Sequence, residues 1–323
     1  MLSVRDLVKV YPGPVTALKG IGLELPPGMF GLLGPNGAGK STFMRILAGL
    51  QEATSGEITL DGIDILNEPK RVWERLGYLP QEFGFYPQLT GRDMLIHLLR
   101  LKGVHAPGGV RKLANELLAR VNLDFAAKRK VREYSGGMKQ RLGIAQAIAG
   151  DPRLIIVDEP TAGLDPEERH RFYRILAELA EKRIVLLSTH IVEDVATLCP
   201  YFAVIREGRI LARSTPPMAR GALAGRMIQG EVDADEIKRL QEQATVTQVV
   251  LFEGRHRVRI FEPEGDSRPG FEQVEPTLED AYLLAMRGGA DRIPEHLPTD
   301  FCTPPTLASV MVDEQEVATE TDA

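Results

Sequence analysis

The sequence predicts an α/β protein with a parallel β-sheet at its core, and three observations lead to this fold class. Two short apolar runs, LIIVDEP and RIVLLSTH, end in polar residues, as buried parallel strands do. The segment between them, PEERHRFYRILAELAEK, has the apolar spacing of a helix. An earlier apolar run ends in a glycine-rich loop, GLLGPNGAGKST, at residues 31–42. Such sheets bind ligands at the carboxyl ends of their strands. The polar residues that follow these apolar runs are therefore candidate site residues.

The N-terminal half is predicted to add antiparallel strands and a group of helices to this core. The segment SVRDLVKVY alternates like an edge strand, and Asp61-Gly62 favours a tight hairpin turn within GEITLDGIDI. Apolar residues at helical spacing in 91–101 and 109–121 predict helices. These helices belong to a helical insertion that we expect at about residues 82–150.

The composition changes beyond Thr215. TPPMARGALAGR is typical of a linker, and TVTQVVLFEGRHRVRIF predicts a hairpin that turns at Glu253-Gly254. Thr277 is the expected N-cap of a short last helix. We therefore expect a main domain at residues 1–215, a small α+β domain at 216–287 and a disordered tail at 288–323. The tail is strongly acidic, with eight acidic residues against one basic residue, which favours solvated chain.

Composition limits the classes of protein to be considered. The chain has 323 residues, of which 43% are hydrophobic, and this suffices for one large domain with an appendage. No apolar run approaches the roughly 18 residues of a membrane span, and the N-terminus does not resemble a signal peptide, so we expect a cytosolic chain. Two cysteines are too few for a disulfide framework or a metal cluster. The charge balance shows no excess of basic residues of the kind that binds nucleic acid, so no nucleic-acid partner is expected.

The glycine-rich loop has the spacing of a phosphate cradle. Gly34, Gly39, Lys40 and Ser41 fit the pattern of a glycine, four free positions, a second glycine, a lysine and a hydroxyl residue. Glycines let backbone N–H groups converge on an anion, and the helix expected at Lys40 points its positive end to the same place. Lys40 would bind the β- and γ-phosphates, and Ser41 is placed to bind Mg²⁺. The alternative for the loop alone is a glycine-rich turn between a strand and a helix.

Two further stretches carry residues suited to nucleotide chemistry. The run LIIVDEP delivers Asp158 and Glu159 to a strand end, where they could hold Mg²⁺ and polarise an attacking water, or simply solvate the strand. In YSGGMKQR, a serine and two glycines open a predicted helix and form a second anion site. Two such helix N-termini in one chain are best explained by a dimer.

Six motifs together resemble the ATP-binding subunit of ATP-binding cassette (ABC) transporters. GPNGAGKS resembles the Walker A motif, LIIVDEP the Walker B motif and YSGGMKQ the signature motif. YLPQ, GLD and STH resemble the Q-, D- and H-loops, in the family's order, between Leu2 and Leu211. The resemblance implies a P-loop NTPase core with an antiparallel β subdomain and a helical subdomain. It also implies ATPase activity with ATP and Mg²⁺ as cofactors.

The resemblance implies a head-to-tail homodimer with each ATP between the Walker A motif of one subunit and the signature motif of the other. By position, Glu159, His190 and Gln81 would be catalytic, and Ser41, Gln81 and Asp158 would hold Mg²⁺. Tyr11 would stack on adenine, and Asp165 would link the two sites. Taken singly, Tyr11, Gln81, Asp165 and His190 also fit an edge-strand aromatic, a loop amide, a helix cap and a strand-end imidazole. The other implied nucleotide contacts are Gly34, Pro35, Asn36, Gly37, Ala38, Gly39, Lys40, Ser41, Thr42, Ser135, Gly136 and Gly137.

The resemblance further implies an integral membrane permease as partner and a position at the cytoplasmic face of the membrane. Tyr134 and Met138 replace the leucine and glutamine of the commonest signature motif, and this variant resembles exporters of drugs, antibiotics or lipids. The segment EFGFYPQLTGRD could contact a helix of the permease or pack within the helical insertion. Alternative functions are a soluble cassette ATPase in translation or DNA repair, and a nucleotide sensor without turnover.

Overall fold

The chain divides into two units, which are described separately. The structure is a computed structural model that describes residues 1–13, 15–81, 84–161 and 164–288. The first unit comprises Met1–His190 and Glu207–Arg209, and the second comprises Ile191–Arg206 and the chain from Ile210 onward. The predicted tail lies outside the described residues beyond Gly288. The predicted domain limits at residues 215 and 287 stay predictions.

The first unit holds both strands and helices, as expected of an α/β protein. In chain order they are β1 (Leu2–Tyr11), β2 (Val15–Leu25), β3 (Gly28–Leu33), α1 (Lys40–Leu47), β4 (Ser55–Leu60), β5 (Ile63–Asp64), α2 (Pro69–Trp73), β6 (Leu76–Leu79), α3 (Gly91–Leu101), α4 (Val110–Arg120), α5 (Gly136–Ala147), β7 (Leu154–Asp158), α6 (Pro166–Ala180) and β8 (Ile184–Thr189).

A parallel sheet forms the core of this unit. Its strands lie in the order β3, β8, β7, β6, and each neighbouring pair is parallel. The apolar residues of β7 and β8 are buried because helices α1, α5 and α6 pack against the sheet. The predicted strands LIIVDEP and RIVLLSTH are thereby confirmed. Because all four strands point the same way, their carboxyl ends meet at one edge.

A second, antiparallel sheet has the order β2, β1, β4, β5. The expected turn at Asp61-Gly62 is confirmed, with Leu60 opposite Ile63. The expectation that SVRDLVKVY is an edge strand is wrong, because β1 pairs with β2 on one side and β4 on the other. Alternation reports that one face of a strand is exposed, and it does not report whether the strand lies at an edge.

The predicted helical insertion is also present. Helices α3 and α4 match the expected segments, and short 3₁₀ turns at Asp124–Ala126 and Val131–Glu133 lead to α5. The Thr90 side chain caps α3 by accepting a hydrogen bond from the backbone N–H of Asp93 at 3.2 Å. Packing of α3 and α4 against α5 fixes the helix that begins at the signature motif.

The second unit is a small α+β assembly. Its elements are α7 (Val192–Leu198), β9 (Tyr201–Arg206), β10 (Arg209–Ser214), α8 (Pro216–Gly221), β11 (Met227–Val232), α9 (Ala234–Gln243), β12 (Thr245–Phe252), β13 (Arg255–Phe261), β14 (Phe271–Gln273) and α10 (Leu278–Arg287). Strands β12, β13, β11 and β14 form an antiparallel sheet in that order. The hairpin at Glu253-Gly254 and the Thr277 cap of α10 are confirmed.

The predicted linker after Thr215 is wrong, because this stretch contains helix α8. Thr215 caps the helix by accepting from the backbone N–H of Met218 at 3.2 Å, and a proline follows at the first helical position. Proline is favoured there because its missing N–H would have no helical partner. Among the described residues, no helix combines the length and apolar character that a membrane span requires.

Candidate functional site

The carboxyl edge of the parallel sheet brings the sequence-predicted residues together. Strand β3 leads into the glycine-rich loop, and β7 ends at Asp158 with Glu159 next in the chain. Strand β8 ends one residue before His190, and β6 ends two residues before Gln81. Residues that are far apart in the sequence therefore surround one position, as expected for ligand sites of parallel α/β sheets.

The glycine-rich loop has a backbone shape that requires glycine. Gly39 is the N-cap of α1 with φ 108°, and a Cβ atom there would lie 2.8 Å from the carbonyl oxygen of Ala17. The loop is tied to a neighbouring turn by a hydrogen bond of 2.9 Å from the N–H of Gly208 to the carbonyl of Ala38. Among the residues that the structure describes, no side chain caps α1. The N–H groups of its first turn are thus available to an anion.

Lys40 is buried at the centre of this loop. Its Nζ donates hydrogen bonds to the carbonyl oxygens of Gly34 at 2.7 Å and Pro35 at 3.1 Å. The same atom lies 3.1 Å from Oε1 of Glu159, and the two side chains are only 4% and 7% exposed. Lys40 and Glu159 therefore form a buried ion pair across the site.

Glu159 is the common partner of the predicted catalytic residues. Its Oε2 accepts a hydrogen bond from Nε2 of Gln81 at 3.1 Å and lies 3.3 Å from Nδ1 of His190. Its backbone has φ 46°, an uncommon conformation for glutamate, and its N–H donates to the carbonyl of Ser188 at 3.0 Å. This backbone conformation turns the carboxylate away from the strand direction and into the site. Strain of this kind often marks functional positions.

Asp158 is held by a residue that sequence reasoning missed. The Ser188 hydroxyl donates to Oδ1 of Asp158, and both residues are buried. Ser188 is a polar residue in the apolar run RIVLLSTH, and a buried hydroxyl requires a partner. That position was the available signal, but only the pairing of β7 with β8 identifies the partner.

A cavity of about 370 Å³ opens beside these groups. Its lining joins the glycine-rich loop to Gln81 and Glu159, and the residues are Ala17, Asn36, Gly37, Ala38, Gly39, Lys40, Ser41, Thr42, Gln81 and Glu159. Within the part of the chain that the structure describes, Tyr11, Asp158, Asp165, His190 and the signature residues Ser135, Gly136 and Gly137 are not among the lining residues. One subunit thus presents an open site without its signature motif.

Comparison with known proteins identifies the family. An ABC transporter family model matches residues 18–162. The Linearmycin resistance ATP-binding protein LnrL of Bacillus subtilis is 39% identical over 217 residues, which are 67% of this chain and 69% of that protein. The Nod factor export ATP-binding protein I of Burkholderia pseudomallei is 38% identical over 221 residues, which are 68% of this chain and 70% of that protein. The chain belongs to the ABC transporter family.

Other relatives are much longer than this cassette. The human Phospholipid-transporting ATPase ABCA7 is 39% identical over 227 residues, and the matched part is 69% of this chain but 10% of that protein. A solved dimeric ATP-binding cassette in a post-hydrolysis state, bound to ADP and Pi, is 27% identical with a TM-score of 0.61. It covers 67% of this chain and 98% of its own. These matches confirm the predicted P-loop NTPase fold and an ATPase domain that binds nucleotide.

The ABC signature motif caps a helix of this cassette. The Ser135 hydroxyl accepts from the backbone N–H of Met138 at 3.2 Å, so α5 begins at Gly136. A Cβ atom on Gly137 would lie 2.6 Å from Oε2 of Glu168, so a larger residue there would displace the Glu168 side chain. Asp165 caps α6 by accepting from the N–H of Glu168 at 2.8 Å. The interpretation of Asp165 as a helix cap is thus confirmed. Its role as a link between the two ATP sites of a dimer stays a prediction.

Tyr134, one of the two departures from the common signature, has a structural explanation. Its hydroxyl donates to the carbonyl of Ala126 at 2.9 Å. A Cβ atom on Gly91 would lie 1.7 Å from this hydroxyl, so the tyrosine fits only because α3 begins with glycine. Burial raises the pKa of Tyr134, which keeps the phenol a hydrogen-bond donor. The variant therefore bonds the signature loop to the 3₁₀ turn at Asp124–Ala126 and packs it against the first residue of α3.

Tyr11 and the segment EFGFYPQLTGRD are the remaining candidates from the sequence. The Tyr11 hydroxyl receives a hydrogen bond from Gln51 at 2.6 Å and lies 3.3 Å from Oγ1 of Thr42. Burial would raise the pKa of Tyr11, but these hydrogen bonds and nearby cations lower it overall. Tyr86 is 59% exposed and packs edge-on against His97. Phe83 lies outside the described residues, so both interpretations of EFGFYPQLTGRD stay open.

Proposed function

We propose that this ABC cassette is the ATP-hydrolysing subunit of an exporter, in which two copies close around two ATP molecules and drive a separate membrane permease. The observation that carries the proposal is the convergence of Lys40, Gln81 and His190 on the Glu159 carboxylate. This arrangement places one candidate general base beside a phosphate cradle.

The residues at the site fit ATP and Mg²⁺. The uncapped first turn of α1 and the glycine backbone offer N–H donors to phosphate, and Lys40 adds a mobile charge. Ser41, Asp158 and Gln81 carry oxygen atoms, the ligand type that Mg²⁺ prefers. One oxygen of Asp158 is taken by Ser188, which leaves the other for the ion or its water. When bound, the ion would offset the charge of the phosphate groups.

The ion pair suggests an order of events for these side chains. Lys40 would exchange Glu159 for phosphate oxygens when ATP enters the cradle. Glu159, released from its cation, would then accept a proton from the attacking water. Gln81 and His190 would hold the Glu159 carboxylate in place, since both already contact its Oε2 atom. Turnover thus requires the lysine to leave the glutamate first.

A homodimer would complete the site. The signature residues Ser135, Gly136 and Gly137 do not line the cavity of their own subunit within the described residues. A second copy in head-to-tail arrangement would supply them to the nucleotide, and two-fold symmetry would make both sites alike. The solved relative named above is a dimer bound to ADP and Pi, which supports this assembly.

Export through a membrane permease is supported by the relatives. Two of them are named for linearmycin resistance and Nod factor export, and a third for phospholipid transport. We infer a substrate of the drug, antibiotic or lipid type, and a position at the cytoplasmic membrane face through the permease. The names of these relatives lend no support to the alternative role in translation or DNA repair.

Affinity purification of a Glu159→Gln variant with ATP, from detergent-solubilised native membranes, tests the proposal. This variant should bind ATP and accumulate as a dimer, because the cradle is intact, while turnover falls about 10²- to 10⁴-fold with loss of the base. A multispanning membrane protein should copurify in stoichiometric amount, and Lys40→Ala should lose affinity for ATP because its phosphate-binding charge is gone. Glu167→Gln is the matched control, since Glu167 is exposed and pairs only with Arg171 among the described contacts. Normal turnover of Glu159→Gln, or copurification of ribosomes or repair proteins instead, would contradict the proposal.

A further inference from the structure

Helix α5 joins the signature motif to β6, the strand that leads to Gln81. The helix begins at the Ser135 cap and ends at Ala147, where it lies against β6. Nε2 of Gln146 donates a hydrogen bond of 2.7 Å to the carbonyl oxygen of Tyr78. Tyr78 lies three positions before Gln81 in the sequence. The end of α5 is therefore bonded directly to the segment that positions a Glu159 contact.

The contact between α5 and β6 is too close to allow sliding. A Cβ atom on Gly77 would lie 2.3 Å from the carbonyl oxygen of Ala147, so the two backbones touch. On the other side of the helix end, Nζ of Lys102 donates to the carbonyls of Ala149 at 2.9 Å and Ala147 at 3.3 Å. These bonds satisfy carbonyls that the end of a helix leaves without partners. The last turn of α5 is thus fixed to both α3 and β6.

Tyr78 also lies near Asp158, because it pairs with Ile156 of β7, two positions before Asp158. Burial and the negative charge of Asp158 raise the pKa of Tyr78, while Arg45 of α1 interacts with its hydroxyl and opposes this shift. The residue is consequently held by α5 through its main chain and lies near Asp158 and the cradle helix through its side chain. A movement of α5 would displace Tyr78, and with it the segment that leads to Gln81.

We propose that Gln146 is a positioning residue, which transmits the state of the signature motif through α5 to Gln81 and Glu159 of the same subunit. The inference rests on the proposed function, in which the signature motif contacts the ATP bound by the partner subunit. Helix α5 has 12 residues and spans about 18 Å at 1.5 Å per residue, so it acts as a rigid connection. ATP in one site thereby sets the geometry of the hydrolytic glutamate in the other.

Mixed dimers separate this role from a general loss of stability. In a dimer of wild type with Glu159→Gln, only the wild-type subunit hydrolyses ATP at its own cradle. Adding Gln146→Met to the hydrolysing subunit removes the donor at similar side-chain length, and turnover should fall about 10- to 100-fold through displacement of the base. Adding Gln146→Met to the Glu159→Gln subunit instead should leave turnover within about twofold of the reference dimer. In both dimers, the KM for ATP should stay unchanged.

Two further variants serve as controls. Gln146→Arg keeps an N–H donor on a half-buried position and should restore most of the turnover. Gln248→Met makes the same substitution at a half-buried glutamine of the second unit, whose Nε2 donates to Glu279 at 3.2 Å, and should change nothing.

The outcomes distinguish the inference from the proposed function. Equal turnover in the two mixed dimers would overturn the role of Gln146. The substitution would then affect the partner's site, through a damaged signature motif, as much as the site of its own subunit. Turnover equal to the reference in both would overturn it as well. If Glu159→Gln homodimers hydrolyse ATP, or if ATP induces no dimer, the proposed function fails before Gln146 is tested.

Discussion

Replacing Lys40 with methionine removes the cation from the buried ion pair at the site. The Nζ to Oε1 distance of 3.1 Å corresponds to an attraction of about 5 kcal/mol at an effective dielectric constant of about 20. Burial of both charges offsets part of this attraction, but loss of one partner leaves Glu159 charged and only 7% exposed. We therefore expect the free energy of unfolding of the nucleotide-free protein to fall by about 3 kcal/mol. Adding Glu159→Gln removes the unpaired charge and should restore about 2 kcal/mol of this loss.

Urea unfolding, followed by tryptophan fluorescence, measures the stability of the first unit, which contains the ion pair. Trp73 is the only tryptophan of the sequence and lies in α2 of the first unit. Lys112→Met is the control, because Lys112 and Glu116 form an exposed pair at 3.9 Å that should contribute less than about 0.5 kcal/mol. A loss below about 0.5 kcal/mol for Lys40→Met, or additive effects in the double variant, would refute the buried pair as a stabilising interaction.

Two predictions concern pH. Burial lowers the pKa of Lys102 from 10.5 to about 8. Between these two pH values Lys102 is deprotonated in the folded protein but still protonated in the unfolded chain. Stability should therefore rise with pH in that window relative to Lys102→Met, as Trp73 fluorescence in urea would record; equal slopes would contradict the shift. Burial opposes ionisation of Asp280, but hydrogen bonds from Arg259, Thr277 and Thr247 lower its pKa overall. Asp280→Asn should destabilise the second unit at neutral pH and progressively less below about pH 4, as measured by hydrogen exchange of β12 and β13; a constant loss would contradict this.

Much of the fold and the chemistry of the site could be predicted because the signals are local. Apolar runs predicted β7 and β8, and the Thr277 cap predicted the start of α10. The glycine spacing predicted the loop before Lys40, since only glycine allows φ 108° beside the Ala17 carbonyl. The two errors, at β1 and at α8, have different causes. Strand order depends on distant partners, and a stretch whose composition is typical of a linker begins a helix at its proline.

The sequence by itself determined which chemical groups this protein has: a glycine-rich loop before a lysine, an acid pair after a buried strand and a signature motif at a helix start, each encoded within a few consecutive residues. Only the tertiary structure decided which atoms meet. It placed Gln81 on Glu159 across 78 positions of sequence and Gln146 on the Tyr78 carbonyl across 68. Local backbone preferences act over a few residues, whereas these contacts arise from the order of the parallel strands and the packing of α5 against β6.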